Sequence, residues 1–177
     1  NILFLSFHNK KAIPKNKNTK NLNWNSSYNK TIKILNELSK YKNINIIIKR
    51  KKSARYEPLN QVSKKIKIFE EGPATNFINQ ADIIIGQNSA SSIEALINGK
   101  ILMIPFFEKN KKLKRYLYNF NKQIIYSSEN KIKKDILNLI NKKVLFPLKN
   151  TKHQKTISYY YGNTKNIVKN YENFLNN

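Results

Sequence analysis

Ala81-Asp82-Ile83-Ile84-Ile85-Gly86-Gln87-Asn88-Ser89-Ala90-Ser91-Ser92-Ile93-Glu94-Ala95-Leu96-Ile97-Asn98-Gly99-Lys100-Ile101-Leu102-Met103-Ile104-Pro105 reads as strand, turn, helix and second strand. Ile83-Ile85 and Ile101-Pro105 are unbroken apolar runs, as expected of strands covered on both faces in a parallel sheet. Between them, Ser91 to Asn98 is predicted to be helical. Gly99 is free to adopt φ > 0 and fits the position just past the helix end.

Working outward, the same alternation recurs. Further strand-length runs lie at Ile2-Phe7, Ile44-Ile48, Ile66-Phe69 and Gln123-Tyr126. Tyr28 to Tyr41 places Ile32, Leu35 and Leu38 on one face, flanked by Ile34 and Tyr41, with Lys30, Lys33, Glu37 and Lys40 largely outside. Pro73 suits the first turn of a short helix through Phe77 and Ile78, where its missing N–H costs little. Helical patterns continue at Lys109 to Phe120, Ser128 to Asn141 and Asn163 to Leu175, and Asn9 to Asn25 reads as a long polar loop. With right-handed crossovers this order predicts a Rossmann-like, three-layer α/β/α fold around a mainly parallel six-stranded sheet.

At 177 residues the chain fits a single domain spanning 1–177. It opens on Asn1 with a strand starting at Ile2, so a piece of a longer chain with a missing N-terminal domain is expected. No stretch approaches the roughly 20 apolar residues of a bilayer span, and no signal-peptide pattern opens the chain, so a cytoplasmic protein is expected. The absence of cysteine excludes disulfides and thiolate metal sites, and two histidines do not make a zinc shell; no metal or cofactor is expected. The formal charge of +24, from 34 basic and 10 acidic residues, raises nucleic acid and anionic membrane as partners. The lysines are spread through nearly every segment alongside many Asn and Ile, which suits a genome-wide compositional bias better than a nucleic-acid stripe.

In open α/β sheets ligands bind outside the carboxyl ends of the strands, which singles out the loops after Phe7, Ile48, Phe69, Ile85 and Pro105. The loop after Ile85 has the strongest chemistry. Gly86 allows a sharp bend, the small residues Ser89, Ala90, Ser91 and Ser92 allow close approach, and a helix start offers N–H groups and a positive dipole end to phosphate. Ser91-Ser92-Ile93-Glu94 matches the capping box S-x-x-E, so Glu94 has two readings: a return hydrogen bond to the cap, or acceptance of the two hydroxyls of a ribose.

The stretch Asn79 to Pro105 resembles the donor-binding segment of GT-B glycosyltransferases: an "AD" followed by an apolar strand, a small-residue turn, a helix with Glu94-Ala95-Leu96, and Gly99-Lys100 before the next strand. The resemblance implies one half of a GT-B architecture, in which this unit binds a nucleotide-diphospho sugar. It implies that Gly86, Asn88, Ser89, Ser91 and Ser92 meet the diphosphate and that Glu94 meets the ribose. Phe69-Glu70-Glu71-Gly72-Pro73 and Tyr161-Gly162-Asn163 are similar to segments of bacterial capsule and surface-polysaccharide transferases, implying a glycan or lipid-linked acceptor held by an N-terminal domain. Ile101 departs from the family's proline after Gly-Lys, and a second glutamate used by many retaining members is absent.

Lys49 and Arg50 follow the second strand and are candidates to complete the diphosphate site, arginine in a bidentate fashion. His8, after the first strand, is a weak candidate for a general base, set against an ordinary loop histidine. Trp24, Tyr28 and Tyr56 are candidates for stacking, set against packing. No nucleophile elbow or Walker loop is present. Two other functions stay open: a nucleotide-sugar epimerase or polyol-phosphate transferase on the same fold, and a non-enzymatic basic binding module.

Overall fold

The computed structural model describes residues 1–7, 24–50, 61–87, 89–109 and 124–141. Six strands, β1 (Ile2–Leu5), β2 (Ile46–Lys49), β3 (Lys67–Phe69), β4 (Ile83–Ile85), β5 (Ile101–Pro105) and β6 (Ile125–Tyr126), alternate with helices α1 (Asn25–Leu38), α2 (Ala74–Gln80), α3 (Ala90–Ile97) and α4 (Glu129–Ile140). The sheet order is β3-β2-β1-β4-β5-β6 and every paired strand is parallel. This is the doubly wound arrangement predicted. The order reverses between β1 and β4, where Ile2 faces Ile83 and Phe4 faces Ile85.

Because successive strand residues point to opposite faces, the apolar runs supply two cores at once. Ile2, Phe4, Ile46, Ile48, Ile83, Ile85 and Met103 pack beneath α1 and α4, through Ile32, Leu35, Ile132 and Ile136. Leu3, Leu5, Ile84, Leu102 and Ile104 pack beneath α2 and α3, through Ile78, Ile93, Ala95 and Leu96. Two ion pairs close the seam between α1 and α4: Lys30 with Glu129 at 2.8 Å, and Glu37 with Lys133. Burial pushes the Tyr126 phenol well above its usual range, with Asp135 on α4 adding to the shift.

Element ends moved by a few residues for local reasons. β1 stops at Leu5, short of Phe7, and β2 runs from Ile46 to include Lys49. α1 begins at Asn25 and ends at Leu38, leaving Tyr41 outside the helix and 44% exposed. Pro73 stands at the N-cap of α2 with ψ 145, extended rather than within the first turn. α3 ends as expected: Gly99 has φ 66, its N–H meets the Leu96 carbonyl at 3.0 Å, and the Lys100 N–H meets Ala95 at 2.9 Å. That paired closure satisfies two of the helix's last carbonyls. The helices expected at Lys109 to Phe120 and Asn163 to Leu175, and the loop from Asn9, fall almost wholly outside the described residues. Among the described residues, no helix is long and apolar enough to cross a membrane.

Candidate functional site

At the carboxyl end of β4 the chain passes Gly86 and Gln87, both buried, and enters α3 at its N-cap Ser89. Ser89 has the extended backbone of a cap (φ −153, ψ 152), and its hydroxyl oxygen accepts the Ser92 N–H at 3.1 Å. The capping box expected from Ser91 to Glu94 is therefore not formed. With Ser89 as cap, the third helical residue is Ser92, and Glu94 lies too far along to reach back to the cap N–H.

Ser92 is fully buried, and its hydroxyl stands 3.0 Å from that of Ser89. The diphosphate contact expected of Ser92 has its hydroxyl already engaged under the helix start. Gly86 does not carry a positive φ; among the described residues those glycines are Gly72 and Gly99. What requires glycine at 86 is crowding, since a Cβ there would lie 2.8 Å from the Ser92 Oγ. The sharp bend expected of Gly86 is replaced by a close approach.

The remaining groups of this helix start are available. Among the described residues, the N–H groups of exposed Ala90 and half-buried Ser91 find no acceptor. Glu94, also half-buried, follows them by four and three residues on the same helix face, and its carboxylate has no hydrogen bond or ion pair with a described residue. Two donors, a positive helix end and an acidic acceptor one turn on can bind an anion and a neighbouring polyol together. Gln87 anchors the loop by donating from Nε2 to the Pro105 carbonyl at 3.1 Å.

Lys49 and Arg50 stand at the same end of the sheet, but β1 separates their strand from β4. That is two strand spacings, about 10 Å. Lys49 is the last residue of β2 rather than a loop residue, 8% exposed, and its ammonium donates to the carbonyls of Glu70 (2.8 Å) and Arg50 (3.2 Å). Arg50 pairs through Nε with Glu70 at 3.2 Å. Both cations thus join the ends of β2 and β3. Trp24 and Tyr28 are core residues: Trp24 meets Phe106 edge-on at 6.0 Å, and Tyr28 packs against Phe4 and Phe7. His8, Tyr56 and Asn88 lie outside the described residues. No group of three His, Asp or Glu able to hold a metal occurs among the described residues.

One contact had no sequence signal. Glu108, just after β5, accepts the Ser27 N–H in the first turn of α1 at 2.7 Å. Residues 81 positions apart cannot be paired from one sequence.

No protein-family sequence pattern matches this chain, and no curated protein matches it by sequence. Among solved structures, the crystal structure of a glycotransferase of kitacinnamycin is similar, with a TM-score of 0.51 at 10% identity over 97% of this chain. This chain spans 42% of that glycotransferase's length. At this identity the likeness is one of fold: a Rossmann-type α/β unit.

Proposed function

We propose that this chain is the donor-binding half of a GT-B-type glycosyltransferase and that the start of α3 holds a nucleotide-diphospho sugar. The observation that carries this reading is the pair of N–H groups at Ala90 and Ser91 with the Glu94 carboxylate one turn on, none of them bonded to a partner among the described residues, next to the reversal of strand order between β1 and β4. The sequence likeness from Asn79 to Pro105 and the fold-level likeness to a glycotransferase support it.

In this reading the N–H groups and the Ser91 hydroxyl meet the diphosphate, and Glu94 accepts the ribose hydroxyls. When the bond from sugar to diphosphate breaks, its electron pair goes to the leaving oxygen, where the helix dipole stabilises the growing charge. Lys49 and Arg50 contribute a positive field rather than direct contacts. The acceptor, a surface glycan or a lipid-linked saccharide, and the catalytic base belong to a second, N-terminal domain. The net charge of +24 supports a peripheral position on anionic lipid at the inner face of the cell membrane.

Calorimetric titration with UDP, GDP and dTDP tests this. Saturable binding of one of them, competed by its nucleotide sugar, is expected. Absence of binding by all three and by their sugars overturns the reading.

A further inference from the structure

Among the described residues, the N-cap position of α1 supplies no side-chain cap. Its N-cap is Trp24, whose side chain makes no capping hydrogen bond, and no acidic residue occurs in the first turn. An indole has no oxygen to offer the orphan N–H groups of a helix start. Glu108 supplies one: its Oε1 accepts the Ser27 N–H at 2.7 Å.

The neighbouring residue completes a two-way exchange. The Phe107 N–H donates to the Ser27 Oγ at 3.0 Å, and the Ser26 Oγ donates to the Phe107 carbonyl at 3.0 Å. Ser27 is wholly buried and Phe107 is 7% exposed, so the bond from the Phe107 N–H to Ser27 is sheltered from competing water. Phe106, packed edge-on against Trp24, fixes the beginning of the segment. Residues 106–108 therefore form a strap from the end of β5 to the start of α1.

The strap continues into the loop before α3. It begins directly after Pro105, whose carbonyl receives the Gln87 side-chain amide at 3.1 Å, and Gln87 lies between Gly86 and the α3 cap. A path of direct contacts thus runs from Glu108 through the strap to Gln87.

We infer that Glu108 is a positioning residue for the α3 site: by capping α1 from outside it fixes the strap, and through Pro105 and Gln87 the strap fixes the loop that presents Ser89, Ser91 and Glu94. Glu108 also meets the positive end of α1 with the protein's own carboxylate. The start of α3 has no carboxylate in its first turn and stays open to an external anion.

The part of this inference that concerns ligand affinity rests on the donor-site reading above; the strap does not. Two variants separate them. Glu108→Ala removes the acceptor, while Glu108→Gln keeps an oxygen that can accept the Ser27 N–H. In Glu108→Ala, exchange of the Ser27 and Phe107 amides and of the Gln87 side-chain amide, followed by NMR, is expected to accelerate about fivefold or more, the scale of one lost cap. Affinity for the nucleoside diphosphate that the wild type binds is expected to fall by a similar factor. Glu108→Gln is expected to recover most of both. Unchanged exchange at Gln87 in Glu108→Ala overturns the inference, as does a glutamine variant that falls as far as the alanine variant. If the wild type binds no nucleoside diphosphate, the donor-site reading fails while the exchange measurement still decides the strap.

Discussion

Gly86 and Ser92 are locked together by space: the Ser92 Oγ lies where a side chain at 86 would begin, 2.8 Å from an ideal Cβ, with the Leu5 side chain at 3.5 Å on another side. Ser92 has little freedom to withdraw, since its hydroxyl is engaged with Ser89. Gly86→Ala is therefore expected to cost about 1–3 kcal/mol, as for overpacking in a closed core. In a Ser92→Ala background the same change should cost less than half as much, because the obstructing oxygen is gone. Urea unfolding of the four proteins measures the coupling, and strictly additive costs would show that the contact is not the reason for glycine.

The cap falls on Ser89 and not on Ser91, the serine that carries the S-x-x-E pattern. Ser89→Ala removes the acceptor of the Ser92 N–H and should lower stability by about 1 kcal/mol. Ser91→Ala, two residues inside the cap, should stay within about 0.5 kcal/mol of the wild type. Thermal unfolding distinguishes them; the reverse order would return the cap to Ser91.

Glu94 is the residue whose substitution should affect binding without affecting the fold. It holds no described partner, so Glu94→Gln is expected to leave the unfolding midpoint nearly unchanged. Hydrogen bonds to a charged acceptor are worth about 1.5–3 kcal/mol. Nucleoside diphosphate affinity should therefore fall about tenfold or more, whereas the 2′,3′-dideoxy analogue should bind both proteins alike. An equal loss for the dideoxy analogue would remove Glu94 from the ribose.

The seam between α1 and α4 should show a defined pH window. Lys133 holds the Glu37 carboxyl below its usual 4.5, chiefly through their hydrogen bond, and Glu37 in turn raises Lys133 above 10.5. A lowered acid pKa adds stability that is complete above about pH 4.5 and is lost as pH falls through the folded value. A raised lysine pKa adds stability that is complete below about 10.5 and is lost as pH rises through its folded value. Glu37→Gln should thus lower the melting temperature slightly at pH 7, and the difference should shrink at pH 3 and in 1 M salt, because the pair is partly open to solvent. A difference independent of pH would assign the effect to packing.

The alternation of apolar runs and amphipathic stretches carried the layer structure, because parallel strands buried on both faces are written as unbroken runs such as Ile83-Ile84-Ile85 and Leu102-Met103-Ile104. The α3 closure was equally legible, since Gly99 has few other uses at that place. The employment of polar residues was not. Lys49 looked like a loop cation, yet its acceptors are backbone carbonyls that leave no mark in sequence. Ser89 and Ser91 both preceded polar residues by three, and only the extended backbone at Ser89 selects the cap. Glu108 followed two phenylalanines with no pattern of its own, its role set by a helix start far upstream.

The two faces of the sheet are completed at different times as the chain leaves the ribosome. α2, β4, α3 and β5 are consecutive, so most of the layer on their side can assemble once residue 106 has emerged, Ile124 joining it later. The opposite layer waits for α4, and its Glu37–Lys133 contact bridges 96 residues. Until then the flank of α1 that will meet Ile132 and Ile136 stays uncovered, a sticky surface on the nascent chain that binding by a chaperone would shield.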